Sequence, residues 1–193
     1  MAEFSTDRRT RKDAQHNRTQ ILDVARQTFS SDGVDVSMDA IARQSGLGSA
    51  TLYRHFPNKD ALLAALLDEH YEDMLQKKTV IEAEESDAGR ALERWIDALG
   101  DWMLVYDGLS EPLRAAWSRS NSPLKPTCQN LIDATDTFLR AAQGAGLAQP
   151  ALTGRHIFVG ALAVAWAGGT GLDDHGTRVV LRDLFKNGWG MAS

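Results

Sequence analysis

Apolar residues return every three or four positions along most of this chain, the period of an α-helix with one buried face. From Asp13 the run Ile21, Leu22, Ala25, Phe29 keeps that spacing until Asp32-Gly33 stops it. Val34 to Val36 reads as an extended link. Ser37 then offers a hydroxyl that can accept a backbone N–H two or three residues on, which is what a helix cap does. Met38, Ile41 and Ala42 give the helix behind it an inward face. Gly46 ends that helix, because glycine takes the left-handed cap conformation without strain, and Leu47 points back to the core. Ser49 to Phe56 makes the next helix, and Pro57 sets its end by disfavouring helical geometry at Phe56. Asn58 caps a long helix running through Leu62, Leu63, Leu66 and Leu67 toward Met74.

Beyond the acidic link Glu82-Ala-Glu-Glu-Ser-Asp87 the pattern stays helical. Leu92, Trp95, Ile96, Leu99, Trp102 and Met103 form a wide stripe that Asp107-Gly108 breaks. A short helix follows Pro112 with Leu113, Ala116 and Trp117, and 121–126 is a loop. Residues 127–143 place Leu131, Ile132, Thr135, Phe138, Leu139 and Ala142 on one face. After the loop 144–150, a helix rich in small residues runs from about Thr153 to Ala167. Gly168-Gly-Thr-Gly171 and Asp173-Asp174 form the last long loop, and residues 176–189 close the chain with Val180, Leu181, Leu184, Phe185 and Trp189. No period-2 strand pattern and no internal repeat appears. The expected fold is all-α with about nine helices: an arm (1–12), a three-helix head (13–59) and a helical body (60–193).

Two short helices joined by a tight glycine turn are the pattern of a helix-turn-helix, whose second helix enters the DNA major groove. Charge supports that placement modestly. The net charge is −5, yet residues 1–59 carry nine Lys or Arg against seven Asp or Glu, and residues 60–193 carry twelve against nineteen. An acidic body with a mildly basic head suits a protein that meets phosphate with one end.

The residue types fit such a reader. The first residues of the reading helix are Gly48, Ser49, Ala50 and Thr51. Hydroxyls can donate or accept at base edges, and methyl groups can touch the thymine methyl. None is a bidentate reader, so discrimination would lean on small contacts and DNA shape. Tyr53, Arg54 and His55 carry polar tips suited to phosphate oxygens. Lys59 sits in the first turn of a helix, where the macrodipole disfavours a cation and favours an anion. Arg43, Ser37 and the arm cations Arg8, Arg9, Arg11 and Lys12 are further phosphate candidates.

Residues 13–67 resemble the helix-turn-helix head of the tetracycline-repressor family. Ile21 through Phe29 is similar to its first helix and Ser37-Met-Asp-Ala-Ile-Ala42 to its second. Thr51-Leu-Tyr-Arg-His-Phe-Pro-Asn-Lys-Asp-Ala-Leu62 is similar to its recognition helix and the entry to its fourth helix. Two positions depart from the family pattern: Gly48 stands where Ser or Thr is usual, and Ala50 where Gly is usual. The first removes a contact and weakens the cap of the reading helix; the second adds a methyl at the groove wall. The resemblance implies a head and an effector-binding body in each subunit, with dimerisation through the last two helices. There, Ala161, Ala163, Ala165 and Ala167 would allow close approach, and Leu181, Leu184 and Phe185 would supply an apolar stripe.

The implied activity is transcriptional regulation, with a repressor expected to leave a palindromic duplex when a small apolar ligand binds the body. Candidate ligand residues are Trp95, Trp102, Met103, Tyr106, Trp117, Phe138, His156 and Trp166, which supply rigid apolar surface and a few polar tips. A ligand-insensitive architectural DNA-binding protein and a helical enzyme are the competing readings. No G-x-S-x-G, H-E-x-x-H or C-x-x-C pattern is present, and Gly168-Gly-Thr-Gly171 lacks the lysine of a phosphate loop. The histidines have no metal-ligand spacing with carboxylates or with Cys128, so neither metal nor cofactor is expected. A lone Cys, a charged N-terminal stretch and apolar runs far short of the ~20 residues that span a bilayer point to a cytoplasmic protein without membrane contact.

Overall fold

A computed structural model describes residues 3–168 and 175–190, without the side chains of 3–11, 168, 175 and 178. Residues 169–174 of the expected last loop therefore lie outside the described residues, as do the side chains of Arg8, Arg9 and Arg11. The described residues form nine helices: α1 (Glu3–Asp32), α2 (Met38–Gln44), α3 (Ser49–His55), α4 (Lys59–Glu84), α5 (Ala88–Met103), α6 (Ser110–Ser118), α7 (Lys125–Gly144), α8 (Gly154–Gly168) and α9 (His175–Trp189). Ala148 and Gly190 make one isolated antiparallel bridge.

The backbone corrects one expectation. Residues 3–12, read as an arm, are helical and continuous with α1. They contain neither Gly nor Pro, so nothing in the backbone chemistry stops the helix from propagating toward the N-terminus from Asp13.

The head is α1, α2 and α3 around Ile21, Ala25, Phe29, Ile41 and Leu52, all essentially inaccessible to solvent. α4 begins in the head and runs into the body. α5 lies at the centre of the body, packed on α4, α7 and α8. Trp95 of α5 stacks on Phe138 of α7 with ring centroids 5.1 Å apart. Its indole N–H donates to Thr135 Oγ1 (2.8 Å), whose hydroxyl donates to the Leu131 carbonyl (2.7 Å). This short relay satisfies the polar atoms of a fully buried seam. Cys128 is buried beside it, and burial pushes its thiol up to about 12, so it packs as a neutral apolar group.

Two glycines set the approach of α8. At Gly154 an added Cβ would lie 2.6 Å from the Ile132 carbonyl oxygen, and at Gly160 it would overlap the Phe185 ring. On the α9 side, Asp97 of α5 holds Arg182 (3.1 Å) and Lys186 (3.0 Å).

Head and body meet at two tight turns. Gly33 (φ +74°) and Gly108 (φ +75°) both occupy the left-handed region that side chains disfavour. Between them the Val34 N–H donates to the Asp107 carbonyl at 2.9 Å. Phe29 of the head meets Tyr106 of the body edge to face, and Tyr106 shares a 3.2 Å hydrogen bond with His70 Nε2 of α4.

Candidate nucleic-acid interface

The short helices α2 and α3 are built by caps and by a few apolar anchors. Ser37 Oγ accepts from the Ala40 N–H at 3.2 Å and starts α2. Gly46 (φ +67°) turns the chain, and the Leu47 N–H returns to the Ala42 carbonyl. α3 is held by Leu52 (0% exposed) and Phe56 (2%). Burying two such side chains stabilises the docked helix by about 4 kcal/mol, far more than seven residues of helix propensity supply.

The opposite face of α3 is open. Gly48, Ser49 and Ala50 are exposed, Thr51 and His55 are half-buried, and Tyr53 and Arg54 are exposed. Arg43 is exposed in the last turn of α2. No described residue forms a hydrogen bond or ion pair with the side chains of Arg43, Tyr53, Arg54 or His55. Gly48 occupies the N-cap of α3 in extended geometry and provides no side-chain cap.

Lys59 opens α4, as its place in the sequence implied, and has a partner within the chain. It is half-buried, and its ammonium donates to the Val34 carbonyl at 2.8 Å. The lysine thus ties the first turn of α4 to the loop entering α2, with two N–H bonds left to offer. Asn58 Oδ1 caps the Ala61 N–H at 2.8 Å, and Asp60 pairs with Arg119 at the end of α6 at 2.7 Å.

Three residues that steady this face were not singled out in the sequence. Gln20 Nε2 donates to the Ser45 carbonyl (2.7 Å), Thr28 Oγ1 donates to Gln44 Oε1 (2.6 Å), and the Arg18 guanidinium lies 5.1 Å from the Phe56 ring centroid. Together they clip the α2–α3 turn to α1. Thr28 could have been found, because it falls seven residues after Ile21 on the inward stripe.

A scan of family models finds two matches: bacterial regulatory proteins of the tetR family over residues 21–66, and the C-terminal domain of SbtR-like transcriptional regulators over residues 87–188. This chain belongs to the TetR family. TetR-family proteins are DNA-binding transcriptional regulators rather than enzymes, so the open face of α3 belongs to a helix-turn-helix. An HTH-type transcriptional regulator of Staphylococcus aureus is 47% identical over 53 residues, which is 27% of this chain and 29% of that protein's length. A TetR transcriptional regulator from Streptomyces coelicolor has the same fold at 27% identity and TM-score 0.59, over 91% of this chain and 99% of that one. A Saccharomonospora viridis transcriptional regulator, solved in complex with choline, matches at 17% identity and TM-score 0.60, over 92% and 100%.

Of the eight candidate ligand residues, Trp95 and Phe138 meet in the stack described above, and the set is otherwise spread over several elements. Trp95, Met103, Tyr106 and Phe138 are buried in the packed core. Trp102, also buried, borders an open groove of about 740 Å³ between α4 and α5. Trp117 is half-buried under the Arg155 guanidinium, 4.8 Å from its ring centroid. His156 Nδ1 accepts from the Thr153 N–H at the start of α8. Trp166 is 52% exposed on the outer side of α8. A tryptophan on an apolar period has one sequence signature whether it seals a core or lines a cavity.

The open cap of α3 yields a stability prediction. A Cβ at Gly48 meets nothing within 4 Å. Gly48→Ser is therefore expected to cap α3 and stabilise the chain by a few tenths of a kcal/mol or more, raising the urea midpoint at constant slope. A lowered midpoint would show that the hydroxyl cannot reach the α3 amides.

Proposed function

We propose that this TetR-family regulator is a homodimeric repressor that binds a palindromic operator in the cytoplasm and is released by a small apolar effector. Residues 13–59 serve as the DNA-binding unit and 60–193 as the effector-binding and dimerisation unit. The observation that carries the reading is the unpartnered polar face of α3 on its Leu52–Phe56 anchor. Gly48, Ser49, Ala50 and Thr51 meet base edges, and Ser37, Arg43, Tyr53, Arg54, His55 and Lys59 meet phosphates.

Dimerisation has support in exposed apolar surface. Val159 and Trp166 of α8 and Val180 and Leu184 of α9 are each at least half exposed, a concentration of apolar surface that marks an interaction site. Ala161 and Ala165 are buried within the subunit, so the dimer face uses Val159, Trp166, Val180 and Leu184 in their place. The effector reading gains support from a crevice of about 350 Å³ between α5, α8 and α9, bordered by Ile96, Leu104, Val164 and Phe185 with Asp97 and Arg182. That size and its largely apolar lining, to which Asp101 and Asp183 add further polar groups, suit a small ligand. Because α8 and α9 also carry the dimer face, a ligand there would act on head separation, provided that it binds the two states unequally.

Selection of bound duplexes from a random pool tests the reading. Enrichment of an inverted repeat with half-sites about one helical turn (34 Å) apart is expected. Failure to enrich any duplex at low salt would refute operator binding, and a monomeric mass at micromolar concentration would refute the dimer.

A further inference from the structure

Asp60 is out of place on a phosphate-facing helix end. It is the second residue of α4, next to Lys59, and a carboxylate there stabilises the helix start while repelling any phosphate drawn to that end. The structure answers the conflict from the body. Arg119, the residue that ends α6, reaches across 59 positions of sequence and places Nη1 2.7 Å from Asp60 Oδ2. The Asp60 side chain is only 17% exposed within this pair, and Arg119 is 61% exposed. Lys59, tied to Val34, cannot turn to neutralise Asp60 without giving up that bond.

We infer that Arg119 is a positioning residue for operator binding: it masks the Asp60 carboxylate so that the first turn of α4 presents net positive character to the DNA backbone. The inference rests on the reading of α4's first turn as phosphate-facing. It adds that a body residue sets the electrostatics of the head. Since Arg119 closes α6, a shift of α6 that broke the pair would bare the carboxylate and weaken DNA binding without moving α3.

The test uses the full-length chain and a duplex recovered from the wild-type selection, followed by fluorescence anisotropy. Arg119→Ala is expected to weaken binding about tenfold, since it uncovers one like charge near phosphate. Its melting temperature should fall only slightly, because Arg119 itself is largely exposed and solvent screens its side of the pair. Asp60→Asn is expected to bind at least as tightly as wild type. The double variant Arg119→Ala/Asp60→Asn should recover affinity to within about twofold of wild type, as removal of the masked charge makes the mask unnecessary. Wild-type affinity in Arg119→Ala overturns the inference. So does a double variant as weak as Arg119→Ala, which would mean that Arg119 touches phosphate itself. A wild-type chain that retains no duplex overturns the operator reading and this inference with it; the other two results leave that reading standing.

Discussion

Ala50→Glu is expected to lower operator affinity by at least about a hundredfold while the chain melts at or above the wild-type temperature. The two halves of that result have separate physical origins. Ala50 is the second residue of α3 and exposed, so a longer side chain displaces nothing within the head. A carboxylate in the first turn of a helix is favoured by the backbone dipoles, by about 0.3–1 kcal/mol. In a major groove the same carboxylate faces two walls of phosphate. Like charges brought together at an interface cost several kcal/mol, and about 3 kcal/mol is a hundredfold in affinity. Anisotropy titration and thermal melting of the same preparation read both halves. Binding within about threefold of wild type would remove α3 from the DNA interface, however well formed the helix-turn-helix.

The largest stability effect is expected at the α7–α8 seam. Gly154→Ala should cost about 3 kcal/mol, at the upper end of what one added methylene does in a packed site. The obstacles are the Ile132 carbonyl oxygen at 2.6 Å and the Asp136 amide nitrogen at 2.7 Å, both backbone atoms of a helix that cannot rotate aside. The same approach lets the Gly154 N–H reach Asp136 Oδ1 at 2.6 Å, so retreat of α8 also loses that bond. Gly160 is the internal control. Its obstacle is the half-buried ring of Phe185, a side chain free to swing, and Gly160→Ala should cost less. For a chain of this length about 3 kcal/mol lowers the melting midpoint by roughly 6–12 °C. A loss below about 1 kcal/mol in urea titration would mean that α8 does not sit this close to α7.

The features that the sequence revealed are those decided within a few residues. Ser37 and Asn58 cap their helices because a cap reaches only three positions ahead, and Leu52 and Phe56 face inward because a seven-residue helix has one face to bury. The start of α1 was not legible, since a charged arm and a charged helix share one composition. Lys59 with Val34, Gln20 with Ser45 and Asp60 with Arg119 were not legible either. Each joins residues 25 or more positions apart, and a polar side chain carries no mark of the partner that folding brings to it. The body tryptophans were legible only in part. Helical spacing places Trp95 on a buried face, but stacking on Phe138 is decided by where α7 lies.

Val34 binds two elements at once, its N–H held by Asp107 and its carbonyl by Lys59. The loop between α1 and α2 is thus a shared rivet and belongs to neither half alone. Anyone building a chimera that moves this reader onto a foreign sensor should cut neither at residue 59 nor at residue 33. A transplant that keeps its grip must carry α1, the first turn of α4 and the 106–108 corner together.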